Sequence, residues 1–220
     1  MPHVSLAELV AAVGAGELVS FPTDTVPALA ARPEAGDRIY TAKSRRPDKP
    51  LILMGASLAS LRPYMAGSEA DLAQWQAIAR RHWPGALTLV LPASDRLPPA
   101  MNPQQTGTVG LRVPDHPLAL HLLTHTGPLA TTSANRSGQP PLETMAAIEA
   151  HFPQVFTLSP QAQAEIYEMI GTKIPPSEPQ GSGLPSTVVR WQGGGWELLR
   201  SGAVHLPGSA IEADTQNAHP

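Results

Sequence analysis

The chain has 220 residues, 42% of them hydrophobic and only 15% charged, so it carries enough apolar material for a real core and no signature of disorder. Cysteine is absent, which excludes disulfides, thiolate nucleophiles and cysteine-ligated zinc and suits a reducing compartment. With 15 Lys and Arg against 18 Asp and Glu the net charge is -3, so no global basic field draws the chain to nucleic acid or to a membrane.

In chain order, Ser5-Leu6-Ala7-Glu8 is a capping-box pattern that opens a short helix, stopped at Gly14 and Gly16. Leu18–Phe21 reads as a strand ended by Pro22, with Thr23-Asp24-Thr25 as a polar turn. Residues 34–44 read as a helix and Leu51–Met54 as a buried strand between Pro50 and Gly55. Ser68 and Asp71 open a helix to about His82, closed by Pro84-Gly85. Leu87–Leu91 and Val109–Val113 are strands on either side of a proline-rich loop. A helix over Leu118–His125, a strand over Pro128–Thr132, a helix over 143–151 and a strand near Val155-Phe156 follow. Residues 171–186 are the most linker-like stretch. Thr187–Trp191 and Trp196–Leu199, joined through Gly193-Gly194-Gly195, form a predicted hairpin. The 25 prolines and 18 glycines punctuate these elements rather than forming a low-complexity tract. Mixed strands and helices without a composition break predict one α/β domain over 1–207, with a tail over 208–220. No stretch approaches the ~18 apolar residues of a membrane span. The N-terminus lacks a signal-peptide pattern, and a cytoplasmic protein is expected.

The chain has no G-x-x-x-x-G-K-[ST] phosphate loop, no G-x-S-x-G elbow and no H-E-x-x-H. His121 and His125 are one helical turn apart, but with leucines around them and no glutamate between them they read as ordinary helix residues, and no metal ligand set is expected. Three polar clusters stand at predicted strand ends, where open α/β sheets place ligands. They are Thr23-Asp24-Thr25, the run from Lys43 to Lys49 with Arg45 and Arg46, and Thr131 to Gly138 with Ser133 and Asn135. Four cations within seven residues repel one another unless an anion sits among them or water screens them. Together the clusters describe a small-anion or nucleotide pocket without a Walker loop.

At these residues the sequence resembles the YrdC/TsaC-type family. Lys43-Ser44-Arg45 followed by D-K-P-L-I, with Ser133-Ala134-Asn135, looks like its paired K-x-R and S-x-N signatures. F-P-T-D-T from Phe21, W-P-G from Trp83, V-G-L-R-V-P around Arg112, P-S-T-V-V from Pro185 and L-R-S-G from Leu199 fall in the family's order. The resemblance covers about residues 5–205. It implies a twisted mixed α/β sheet flanked by helices around a positively lined cavity. It also implies L-threonylcarbamoyladenylate synthase activity: L-threonine, bicarbonate and ATP, accompanied by Mg²⁺, become threonylcarbamoyl-AMP and pyrophosphate. Separate transferase proteins then use the product to modify an adenosine beside the anticodon of certain tRNAs.

By the same resemblance Thr23 and Arg45 contact threonine, Lys43 lies near the carbamate and phosphates, and Ser133 and Asn135 straddle threonine and nucleotide. Arg112, Ser186 and Arg200 line the ATP side, Lys49 is a supporting cation, and Thr25 and Thr131 are further candidates; Lys43 and Arg45 carry the catalysis. The alternative is a non-catalytic paralogue that binds nucleotide or RNA through the strip around Arg45, Arg46 and Lys49. The chain departs from the family pattern at Pro27-Ala28, where Tyr-Gly is usual, at Met54 in place of a histidine, at Arg190 in place of aspartate, and in lacking Asp-Gly-Gly before P-S-T. With no second domain after the L-R-S-G segment, a short form is expected.

Overall fold

A computed structural model describes residues 3–173, 181–206 and, by backbone, 211–212. Its elements are β1 (His3–Val4), α1 (Leu6–Gly14), β2 (Val19–Phe21), β3 (Ala28–Ala31), α2 (Gly36–Lys43), β4 (Ile52–Met54), α3 (Leu58–Leu61), α4 (Glu69–His82) and β5 (Leu87–Pro92). After them come β6 (Thr108–Arg112), α5 (Pro117–Thr126), β7 (Leu129–Ser133), α6 (Met145–His151), β8 (Thr157–Leu158), α7 (Pro160–Met169), β9 (Thr187–Trp191), β10 (Trp196–Arg200) and β11 (Ile211–Glu212). Nine strands form one mixed sheet in the order β11-β10-β9-β5-β6-β4-β7-β3-β2, and β1 pairs with β8 alongside. The β1–β8, β4–β6, β5–β9 and β10–β11 pairs are parallel and the others antiparallel.

Both faces of the sheet are covered, which explains why its strands read as continuous apolar runs instead of alternating ones. Successive residues feed opposite cores. Leu29, Leu53 and Ala130 pack on one side with Ile39, Trp75 and Ile148 of α2, α4 and α6. Ala30, Met54 and Leu129 pack on the other with Leu9, Leu122 and Ile166 of α1, α5 and α7. The predicted capping box forms, the Ser5 hydroxyl accepting from Glu8 N at 3.3 Å, and the helix predicted to open at Ser68 has a box of its own, with Ser68 accepting from Asp71 N at 3.2 Å. The predicted β9–β10 hairpin is present and antiparallel.

Besides the two-residue strands β1 and β11, three elements escape the sequence reading. β3 is Ala-Leu-Ala-Ala, buried on both faces and built from a residue with little strand preference, so neither alternation nor propensity marks it. α3 is a single turn capped by Ser57 and Ser60. α7 follows a Ser159 cap and a first-turn Pro160, a helix-start signal with a predominantly polar sequence behind it. The strand expected at Val155-Phe156 starts at Thr157, Phe156 making only a bridge to Val19. Of the linker-like stretch, 174–180 lie outside the described residues, as does the tail over 208–220 except for β11 on the sheet edge.

Candidate active site

The ends of β6, β7 and β10 meet the starts of β3 and β9 around a cavity of about 340 Å³. Arg45, Arg112, Thr131, Ser133, Asn135, Ser186 and Arg200 line it, residues drawn from nearly the whole length of the chain. Thr25, Val26, Ala28, Ile52, Met54 and Pro141 complete much of the wall, and among the described residues the lining contains three guanidiniums and no carboxylate.

One residue separates the two cations of K-x-R into different tasks. Lys43 closes α2, and Ser44 takes the left-handed conformation with φ 51°. That turn, held by Arg45 N donating to Tyr40 O at 2.9 Å, sends the neighbouring side chains in different directions. Lys43 runs inward and is only 2% exposed. Its ammonium donates to Ser133 O, to Asn135 O at 2.6 Å and to Asn135 Oδ1 at 2.9 Å, which uses all three of its hydrogens. Burial, and then the charge of Arg45, pull the Lys43 pKa down to about 7.

The Ser-Ala-Asn loop is therefore built on Lys43. Ser133 donates its hydroxyl to Asn135 Oδ1 at 2.6 Å, and the Asn135 amide donates to Arg136 O and Gln139 O at 2.9 and 2.6 Å. Ala134 N donates to Pro27 O at 3.0 Å, so the departure at Pro27 keeps a backbone role. Thr131 donates to Ile52 O at 3.0 Å across the sheet.

Arg45 stays at the cavity. Its Nε donates to Lys49 O at 2.9 Å and its Nη2 to Pro50 O at 3.1 Å, leaving further hydrogens of the fork without a protein acceptor among the described residues. Arg200 enters through an irregularity: the β9–β10 register shifts between Leu198 and Arg200, so Arg200 stands opposite Val188. Its Nε and Nη2 donate to Ser186 O at 3.1 and 2.8 Å, and Ser186 Oγ lies 2.8 Å from Thr88 Oγ1. Partial desolvation, and then the charge of Arg45, hold Arg200 below the usual arginine range. Both forks line the cavity, and no carboxylate does so among the described residues.

Arg112 differs from both. Its Nη2 pairs with Asp24 Oδ1 at 2.6 Å, its Nη1 donates to Thr25 Oγ1 at 2.8 Å, and its Nε donates to Gly85 O of the W-P-G turn at 3.1 Å.

Three predicted site residues do not line the cavity, and the first is Lys43, which lies buried behind the Ser133–Asn135 loop that it holds. Thr23 turns its hydroxyl to Val26 O at 2.7 Å and shapes the turn from behind. Lys49 is exposed, and what the site uses of it is its carbonyl. Residues to which the sequence reading gave no role also take part. Asp24 neutralises Arg112, Gln139 holds Asn135, and Gly181 and Gly202 sit where a Cβ would strike Thr25 O and Pro185 O. Asp24 stood inside a recognised segment, whereas nothing in the sequence marks Gln139. His121 and His125 stack with ring centroids 4.5 Å apart, and among the described residues no cluster of three or more His, Cys, Asp or Glu could hold a metal.

A mixed sheet with this arginine-lined cavity defines a class, and the family model Sua5_yciO_yrdC, described as telomere recombination, matches residues 11–202; the chain belongs to that family. Among its relatives is the threonylcarbamoyl-AMP synthase of Bacillus subtilis (strain 168), 42% identical over 142 residues, which are 61% of this chain and 39% of that protein. The threonylcarbamoyl-AMP synthase of Vibrio vulnificus (strain YJ016) is 35% identical over 178 residues, 79% of this chain and 91% of that protein. Among solved structures, P. abyssi Sua5 complexed with L-threonine superposes with a TM-score of 0.71 at 31% identity, over 91% of this chain and 56% of that one. The chain thus spans little more than half of that Sua5, and its match covers under half of the Bacillus relative. No helix among the described residues is long and apolar enough to cross a membrane.

Proposed function

We propose that this chain is an L-threonylcarbamoyladenylate synthase, a nucleotidyltransferase that joins L-threonine, bicarbonate and ATP into threonylcarbamoyl-AMP and releases pyrophosphate and water. The observation that carries the reading is the convergence of the Arg45 and Arg200 forks on one cavity with the Ser133–Asn135 loop. Family membership and relatives named for this activity support it.

The nucleophile comes from the substrate, so the absence of cysteine is no obstacle. The threonine amine adds to bicarbonate with loss of water, giving a carbamate. A carbamate oxygen attacks the α-phosphorus of ATP, and the bond to the bridging oxygen breaks as pyrophosphate leaves. The protein supplies placement and charge. Arg45 and Arg200 offer planar, partly uncommitted donors for phosphate or carboxylate oxygens. Lys43 fixes the Ser133–Asn135 loop, so its hydroxyl and amide stand in place before ligands arrive. Mg²⁺ enters with the triphosphate as part of MgATP, because the lining among the described residues provides no carboxylate to hold it separately. The mixed anhydride passes to a separate transferase that modifies tRNA, a step that belongs in the cytoplasm with its substrates.

Purified protein incubated with L-threonine, bicarbonate and MgATP is expected to release pyrophosphate and form the threonylcarbamoyl adenylate, detected by mass. Omitting threonine or bicarbonate is expected to stop both. Pyrophosphate release that ignores threonine, or no release with salt-sensitive RNA binding instead, overturns the reading.

A further inference from the structure

We propose that Asp24 is a positioning residue for this cavity: its carboxylate holds Arg112 as a neutralised guanidinium, so that Arg112 shapes the wall without adding net positive charge to it. The inference about turnover rests on the synthase reading; the inference about charge does not.

Arg112 is 5% exposed, and each of its three nitrogens has a protein acceptor: Asp24 Oδ1, Thr25 Oγ1 and Gly85 O. Burial pushes this guanidinium below its usual range, and the Asp24 carboxylate opposes that push. Among the described residues nothing anionic lines the cavity itself, and Asp24, reaching in from behind at the β2–β3 turn, supplies the counter-charge. A buried cation without that partner would be held at high electrostatic cost and would attract any anion nearby.

The same turn has a second hold on the site. Asp24 O accepts from Ser182 N and Thr25 O from Gly183 N, both at 3.0 Å. Gly181 lies flat against Thr23 and Thr25, where a Cβ would collide with their carbonyls. The segment fixed in this way runs directly to Ser186, whose carbonyl anchors Arg200. One three-residue turn therefore sets the position of Arg112 and of the strand entry that supports Arg200.

The test separates charge from shape. Asp24→Asn keeps the size of the side chain and one acceptor oxygen but removes the charge. Inorganic pyrophosphate, titrated calorimetrically at fixed ionic strength, is expected to bind this variant at least threefold more tightly than wild type, while threonine-dependent turnover falls at least tenfold. A general loosening of the site would weaken both, which is how the two explanations part. Asp24→Asn/Arg112→Met removes both charges and does not leave a lone buried cation, so it serves where the single variant fails to fold. Its pyrophosphate affinity is expected within twofold of wild type, with turnover still low. Tenfold weaker pyrophosphate binding in the double variant means that Arg112 binds the anion directly, and it overturns the proposal. Pyrophosphate binding to Asp24→Asn that is unchanged or weaker, or binding absent in wild type, overturns it too. A wild type that binds pyrophosphate but makes no adenylate overturns the synthase reading and leaves the charge arm to decide the role of Asp24.

Discussion

The inner wall of the cavity and its rim are both cationic, yet they spend their hydrogen bonds differently. On the inner wall and directly behind it, every hydrogen of the Lys43 ammonium and every nitrogen of Arg112 already has a protein acceptor. On the rim Arg45 and Arg200 hold themselves in place through some of their nitrogens and keep other donors uncommitted. A cation with all its partners inside the protein stabilises and pre-organises; a cation with spare donors is available to a ligand. Substitutions should therefore divide by region, with inner-wall changes moving stability and rim changes moving turnover.

The largest effect is expected at Lys43. Lys43→Ala leaves Ser133 O, Asn135 O and Asn135 Oδ1 without their donor and opens a void in the core. A loss on the order of 3–5 kcal/mol follows from those two terms, lowering Tm by about 10 °C in a chain of this size. Thermal unfolding checks it, and turnover should be undetectable because the Ser133–Asn135 loop has lost its support. A Tm within 2 °C or so of wild type would place Lys43 on the rim side of the comparison.

At Arg45 the balance reverses. Arg45→Ala removes two bonds to the carbonyls of its own loop but empties no core, so Tm should fall by only a few degrees. Turnover should fall about 100-fold, the effect typical of losing one pre-organised donor at a charged transition state. Steady-state kinetics beside thermal unfolding gives both numbers on one preparation. Equal turnover in variant and wild type would remove the rim from the mechanism.

How much of this was legible beforehand follows physical lines. K-x-R and S-x-N could be read because they stand in polar clusters at strand ends and resemble a family's paired signatures, and their meeting in space needed only that β7 run beside β4 and β3. The split between Lys43 and Arg45 could not be read, since it depends on one left-handed residue, Ser44, whose type does not demand that conformation. The bulge that places Arg200 was hidden for a related reason: register is a property of two strands at once. Asp24 was visible as a turn residue, but its partner Arg112 lies 88 positions away. Among the elements, α1 and α4 were found from their caps, whereas the capped α3 and α7 were not, one being a single turn and the other largely polar. The alanine strand was missed because packing on two faces and not local preference makes it a strand.

An effect graded by pH sharpens the inner-wall half. With the Lys43 pKa lowered from 10.5 to about 7, the folded protein binds fewer protons than the unfolded chain between those values. Stability relative to Lys43→Met should therefore rise with pH across that window, by at most ~1.4 kcal/mol per unit, and be flat below it. The three oxygens around the ammonium favour its charged form, and urea unfolding at several pH values weighs them against burial. A difference that stays flat between pH 7.5 and 10 would mean that the oxygens prevail.

The smallest effect is expected at Lys49, which shares the basic run with Arg45 but faces solvent. Its contribution to the cavity is its carbonyl, which accepts from Arg45 Nε at 2.9 Å and from the Tyr40 hydroxyl at 3.1 Å, and Lys49→Ala keeps that carbonyl. What the substitution removes is an exposed charge acting through water, an effect that screening reduces to a fraction of a kcal/mol at physiological salt. Turnover should therefore change less than about threefold, and the change should vanish as salt is raised. A loss that approaches that of Arg45→Ala and persists in high salt would mean that the Lys49 side chain swings into the cavity when ligands bind. The rim would then have three working cations, and the boundary between holding and binding would run along the loop from Lys43 to Lys49 rather than between the wall and the rim.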